Sequence, residues 1–144
     1  MLIESLNPMT SSRLAVMSMS ATLRAAASAL SRPQVGLVVV CDGEAAVGVI
    51  SKSDIIRHLT DVGVADSAVV TLMSRGVIYC RPEDDLHATW QMMAAQNLQN
   101  MPVLNASLVP IGILDIRDAL KALFKNEEYQ EQLLLNYVGG VGYQ

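Results

Sequence analysis

One eight-residue pattern occurs twice in this chain. The first copy reads Gly48-Val49-Ile50-Ser51-Lys52-Ser53-Asp54-Ile55, the second Gly112-Ile113-Leu114-Asp115-Ile116-Arg117-Asp118-Ala119. Each follows a run of aliphatic residues and opens a stretch with apolar residues at helical spacing. Duplication on this scale restricts the chain to two copies of one folding unit, and neither half can be read alone. The matching continues upstream. Val38-Val39-Val40-Cys41-Asp42-Gly43 corresponds to Met101-Pro102-Val103-Leu104-Asn105, and Ala21–Ala26 to Asp84–Thr89. Leu23 aligns with Leu86 but Gly48 with Gly112, one position further on. The second copy therefore carries one extra residue, placed in the loop around Ala106–Val109.

Both copies read as strand, helix, strand, strand, helix, which predicts a mixed α/β (α+β) fold. In the first, Leu14–Met17 suits a short strand. Leu23, Ala26, Ala27 and Leu30 mark a helix over Thr22–Ser31 that Pro33 stops. Leu37–Cys41 is a buried-strand run, Asp42-Gly43 a hairpin turn, and Ala46–Ile50 the returning strand. Ile55, Ile56, Leu59 and Val62 mark the closing helix. In the second, Val77–Cys80 predicts a strand ended by Pro82. Leu86, Trp90, Met93 and Ala94 form one helix face. Pro102–Leu104 and Pro110–Leu114 form a hairpin, and Ile116, Ala119, Leu120 and Leu123 start the last helix. The connector Thr60–Ser74 is expected to hold a short helix at Ser67–Met73. The expected units are residues 7–64, 65–124 and a helical tail at 125–144. Gly139-Gly140 is expected to stop that tail helix.

Half of the residues (51%) are hydrophobic but only 4% are aromatic, so the core must be built from aliphatic residues and methionine. The net charge of −4 is dispersed, without a Lys/Arg block, which argues against a nucleic-acid or anionic-membrane surface. No apolar run is long enough for a membrane span, and Met1–Ser5 carries an early acid and no signal-peptide pattern. A cytoplasmic location is expected. Cys41 and Cys80 fall in predicted strands of different repeats, where buried free thiols are common; their spacing suits neither a zinc site nor a disulfide framework.

A doubled strand–helix unit with Gly-aliphatic-aliphatic-[Ser/Thr]-x-x-Asp at the second hairpin strand resembles a pair of CBS domains, named after cystathionine β-synthase. Met101-Pro102-Val103, Asp42-Gly43 and Leu72-Met73-Ser74 share in the likeness, which spans about Asn7 to Phe124. The resemblance implies a pseudo-twofold CBS pair with two clefts between its repeats. It implies an adenosine-containing ligand (AMP, ADP, ATP or S-adenosylmethionine), a homodimer of pairs and a regulated protein partner. It implies no catalytic cofactor and no enzyme activity. With no further domain in the sequence, a stand-alone module is expected.

The chemistry of the motif agrees. An ionised carboxylate accepts at both oxygens and can hold the two hydroxyls of a ribose. A hydroxyl at a helix start, beside free backbone N–H groups, suits a phosphate. Ser51 and Asp54 supply this set, and Gly48 permits close backbone approach. In the second copy Asp115 replaces the hydroxyl and would repel a phosphate. Asp118 can still hold a ribose, and Arg117 can offset the repulsion. The Ser51/Asp54 cleft is therefore expected to suit a phosphorylated nucleotide. The Asp118 cleft should take a less charged ligand or none.

A plainer reading stands beside this one. Ser51-x-x-Asp54 is close to a helix capping box, and Asp115 is an equally good N-cap. His58 and His87 lack catalytic or metal-ligand partners and read as exposed helix residues. Trp90, Met92 and Met93 read as helix packing, and Glu83-Asp84-Asp85 as an acid cluster at a helix start. Asp115 and Asp118 could be imagined as a catalytic pair, but no nucleophile or cofactor motif accompanies them. The alternatives are thus a sensor, a structural or interaction module without ligand, and a small nucleotide enzyme.

Overall fold

The structure, a computed structural model, describes residues 1–61 and 66–142, leaving aside the side chains at 129, 133 and 137–142. A 3-10 turn at Ile3–Leu6 leads into helix α1 (Asn7–Ser12). Strand β1 (Val16–Ser18), helix α2 (Leu23–Leu30), the hairpin β2 (Val38–Asp42) and β3 (Ala45–Ile50), and helix α3 (Lys52–Asp61) complete the first repeat. The second has a 3-10 turn at Val69–Thr71, helix α4 (Leu86–Ala95), the hairpin β4 (Asn100–Leu104) and β5 (Pro110–Asp115), and helix α5 (Ile116–Gly142). Val62, expected on the closing helix, the expected boundary at 64/65, and the side chains of Leu133, Tyr137 and Val138 lie outside the described residues.

Local signals start the helices. The Thr22 hydroxyl accepts from Ala25 N–H at 3.2 Å at the start of α2. Asp85, from the predicted acid cluster, accepts from Ala88 N–H at 2.9 Å at the start of α4. Such caps satisfy donors that the first turn leaves without helical partners.

The sheets follow the repeat, with one instructive difference. β1 runs parallel to β2, and β2 antiparallel to β3. β4 and β5 repeat the hairpin, with a register shift at Val103/Leu104 matching that at Val40/Cys41. The strand expected at Val77–Cys80 is reduced to a single bridge between Cys80 and Val103. In the first repeat Val39 N–H donates to Ala15 C=O at 2.9 Å. Its counterpart Pro102 has no N–H, so the second ladder cannot extend. The extra residue of the second copy falls in the hairpin turn, Ala106–Leu108 replacing Gly43-Glu44. There Leu108 C=O accepts from Ala46 N–H of the other repeat at 3.0 Å.

The entry segments of the two repeats are exchanged. Ile3 and Leu6 are buried in the second repeat's core with Leu86, Met93, Met101 and Leu114. Val69 and Met73 are buried in the first repeat's core with Leu23, Leu30, Val38 and Ile50. Matching hydrogen bonds hold both crossings: Ile3 N–H to Asp84 C=O at 3.0 Å and Val69 N–H to Ala21 C=O at 2.8 Å. Each core therefore needs residues from the other repeat. A third cluster, Leu37, Val39, Cys41 and Ile113, joins the two. Successive β2 side chains face different cores, Val38 and Val40 into one and Val39 and Cys41 into the other, which is why that strand is apolar without alternation.

α5 runs unbroken through the tail, and Gly139-Gly140 does not stop it. A glycine in a helix costs about 1 kcal/mol relative to alanine but forbids nothing.

Candidate functional site

Ser51 and Asp54 meet at the start of α3. Asp54 Oδ2 accepts from Ser51 N–H at 2.8 Å and from its hydroxyl at 3.0 Å, and Asp54 N–H approaches Ser51 Oγ at 3.4 Å. This is a reciprocal cap with aspartate in the usual place of glutamate. Arg57 reaches Asp54 Oδ1 at 3.3 Å from an exposed position. The Ser51 hydroxyl also lies 2.9 Å from that of Ser53.

The second copy is built differently. Asp115 is buried and accepts from Arg117 three times: backbone N–H at 2.8 Å, Nε at 3.0 Å and Nη2 at 2.7 Å. Burial opposes its ionisation. The hydrogen bonds and charge of Arg117, with Arg13 beyond, outweigh that and hold the carboxyl below its ordinary range. Asp118, also buried, is engaged by Arg13, whose Nε and Nη2 approach its two oxygens at 2.5 and 3.1 Å. Arg13 further donates to Gln34 C=O at 3.1 Å and lies 3.9 Å from Asp115. The hydrogen bond to Asp118 raises the pKa of Arg13 further above its ordinary value, although burial opposes it.

Two cavities open beside these helix starts. One of about 700 Å³ is lined from the first repeat by Val35–Leu37 and Ser51–Ser53, and from the second by Asn97–Asn100 and Arg117. The other, about 570 Å³, is lined by Gln34, Asp118, Leu120 and Lys121. Arg13, Pro33 and Arg117 line both. Of the six residues predicted from the sequence, Ser51, Arg117 and Asp118 line these cavities. Gly48, Asp54 and Asp115 do not, among the described residues.

The close approach expected at Gly48 is made by protein. A Cβ there would run into the Met73 side chain, and one at Gly112 would lie 2.7 Å from Thr10 Oγ1 and 2.9 Å from its backbone carbon. The repeated glycine admits the exchanged entry segment of the other repeat. His87 is exposed as expected, 6.3 Å from the Trp90 ring and stacked on it. His58 is not fully exposed: it is half-buried, with Nε2 3.0 Å from Ser67 Oγ. Trp90 and Met93 pack in the second core. Both cysteines are free and buried, and burial, with the charge of Asp84, pushes the Cys80 thiol up to about 12.

Sequence reasoning missed Arg13, which belongs to no motif. The signal lay in the duplication itself: carried upstream of Ala21, the alignment sets Arg13 against Gly76.

Two interlocked strand–helix units with a cavity between the starts of their closing helices define a tandem-repeat module with a pseudo-twofold. The CBS domain family model matches residues 3–61 and 67–125, and the chain belongs to that family. Among solved structures it is similar to a CBS-domain-containing protein from Agrobacterium tumefaciens, with 20% identity, a TM-score of 0.72, and coverage of 85% of this chain and 98% of that one. It is similar to the CBS domain pair of protein MJ0100 in complex with 5′-methylthioadenosine and S-adenosyl-L-methionine (19%, TM-score 0.73, 88% and 98% covered). A third is a CBS domain protein from Pyrobaculum aerophilum complexed with AMP (23%, TM-score 0.71, 82% and 89% covered). At these identities the likeness establishes the shared fold. No curated protein matches the sequence.

Proposed function

We propose that this protein is a non-catalytic sensor of an adenosine-containing ligand: AMP, ADP, ATP or S-adenosylmethionine. The observation that carries the reading is the cavity between the repeats, which is lined by Ser51, just before α3, and by Arg117 of α5, with Arg13 and Lys52 beside them. Its volume of about 700 Å³ is in the range of small-molecule sites. Its cationic groups and the hydroxyls of Ser51 and Ser53 suit a phosphate, while Leu37 and Leu98 suit a base. The AMP and S-adenosyl-L-methionine complexes of proteins with this fold support the ligand class. A ligand touching both repeats favours one relative orientation of them, and shifts that equilibrium only by its differential affinity for the two states.

The signal leaves through a surface. Leu120, Phe124, Leu134 and Leu135 are exposed on α5, as is Met9 on α1. These residues support a homodimer whose geometry a regulated protein reads; neither nucleic acid nor a membrane is a proposed partner. Among the described residues no helix is long and apolar enough to cross a membrane. Free buried cysteines suit a reducing compartment, and the cytoplasm is the proposed location.

Thermal shift with AMP, ADP, ATP, NADH and S-adenosylmethionine tests the reading, because a ligand that binds the native state raises its stability. No shift with any of them at millimolar concentration overturns it in favour of a second reading, a structural or interaction module. The exposed apolar stripe of α5 and the occupied Asp118 favour that second reading.

A further inference from the structure

Arg13 stands where the two cavities meet and lines both. Its guanidinium takes both oxygens of Asp118, whose side chain keeps only 6% exposure, and is anchored again on Gln34 C=O. A ribose diol is also a two-point donor to one carboxylate, so it competes with this fork for the same oxygens.

Among the described residues, the first repeat carries no such fork at the matching place. Met17 pairs with Val40 as Cys80 bridges to Val103, and the fourth residue back is Arg13 in one case and Gly76 in the other. A Cβ built on Gly76 meets nothing within 4 Å. Asp54 is held instead within its own helix start, by the Ser51 N–H and hydroxyl and by the exposed Arg57, so freeing its oxygens breaks no contact between repeats.

We propose that Arg13 is the residue that makes the two clefts unequal: by holding Asp118 it denies the second cleft to a ribose, so a nucleoside is accepted only at the Asp54 cleft. This rests on the motif carboxylates being ribose acceptors.

Calorimetry with adenosine, which carries the diol and no phosphate, tests it on the full chain. The unaltered protein should take one equivalent, lost in Asp54→Ala and retained in Asp118→Ala. Arg13→Ala should take a second, its affinity at that cleft raised about ten- to a hundredfold, the worth of a charge-assisted hydrogen-bond pair. Adding Asp118→Ala to Arg13→Ala should remove that second equivalent. Should Arg13→Ala fail to fold, Arg13→Gln, which keeps a neutral donor at the place of Nε but loses the fork, should show the same site more weakly. A second equivalent in the unaltered protein that Asp118→Ala abolishes overturns the proposal, as does a folded Arg13 variant that gains nothing. If the unaltered protein takes no adenosine but Arg13→Ala takes one through Asp118, the role of Arg13 stands and ligand binding at the first cleft fails.

Discussion

Arg13 donates from Nε and Nη2 to the two carboxylate oxygens of Asp118, a residue 105 positions further along the chain. The pair ties the exit of α1 to the first turn of α5, and so couples the repeats beside both cavities. It is largely removed from solvent, with 18% of the Arg13 side chain and 6% of Asp118 exposed.

Removing one partner of such a pair leaves the other charged and poorly solvated. Arg13→Ala should destabilise the protein by about 3 kcal/mol, and Arg13→Lys, which keeps charge but not the fork, by about 1 kcal/mol. Urea unfolding measures both. Equal losses would mean that fork geometry rather than charge sets the cost.

The two motif carboxylates should differ in ligand binding. Asp54→Ala should weaken AMP binding by about tenfold, roughly one charge-assisted hydrogen bond, while Asp118→Ala changes it little. Calorimetry giving the reverse order would move the phosphate away from the Ser51/Asp54 cleft. Asp54→Ala should also cost about 1 kcal/mol of stability through its lost cap.

The repeated glycines should tolerate alanine unequally. At Gly112 the new methyl would press on Thr10, including its backbone carbon, whereas at Gly48 it would press on a methionine side chain that can turn. Overpacking costs should be about 3 kcal/mol for Gly112→Ala and about 1 kcal/mol for Gly48→Ala. Thermal melting of the two variants checks the order.

Stability should fall in acid through Asp115. Its folded carboxyl lies below the ordinary 3.8, so its contribution is complete above that value and disappears as pH falls through the lowered one. Urea midpoints between about pH 2 and 6 should show the drop. Asp115→Asn, which keeps an acceptor for Arg117 but cannot ionise, should flatten it.

Cys80 should be inert in the native state. With its thiol pushed up to about 12 by burial, almost no thiolate exists at pH 8. Labelling by a disulfide reagent should follow the unfolding rate, and fast labelling of the folded protein would contradict the buried placement.

The duplication carried most of the fold. Hairpin strands, α2 to α4 and the extra residue of the second turn follow from apolar spacing and Asp-Gly or proline punctuation, which act within a few residues. Local signals failed where pairing or chain context decides. Val77–Cys80 has strand composition, but the missing N–H of Pro102, on another strand, limits it to one bridge. Gly139-Gly140 has the composition of a stop, yet α5 continues through it.

At the site, the sequence by itself determined that Ser51, Asp54, Asp115 and Asp118 sit at two equivalent helix starts, because that follows from the repeat and from helix periodicity. It also marked the copies as chemically unequal at Ser51 and Asp115. Only the tertiary structure decided what each group meets. The exchanged entry segments bring Met73 to Gly48, Thr10 to Gly112 and Arg13 to Asp118. Those contacts join residues far apart in the chain, and their partners are chosen by shared cores and by the high cost of an unpaired buried charge. No pattern of neighbouring residues encodes either.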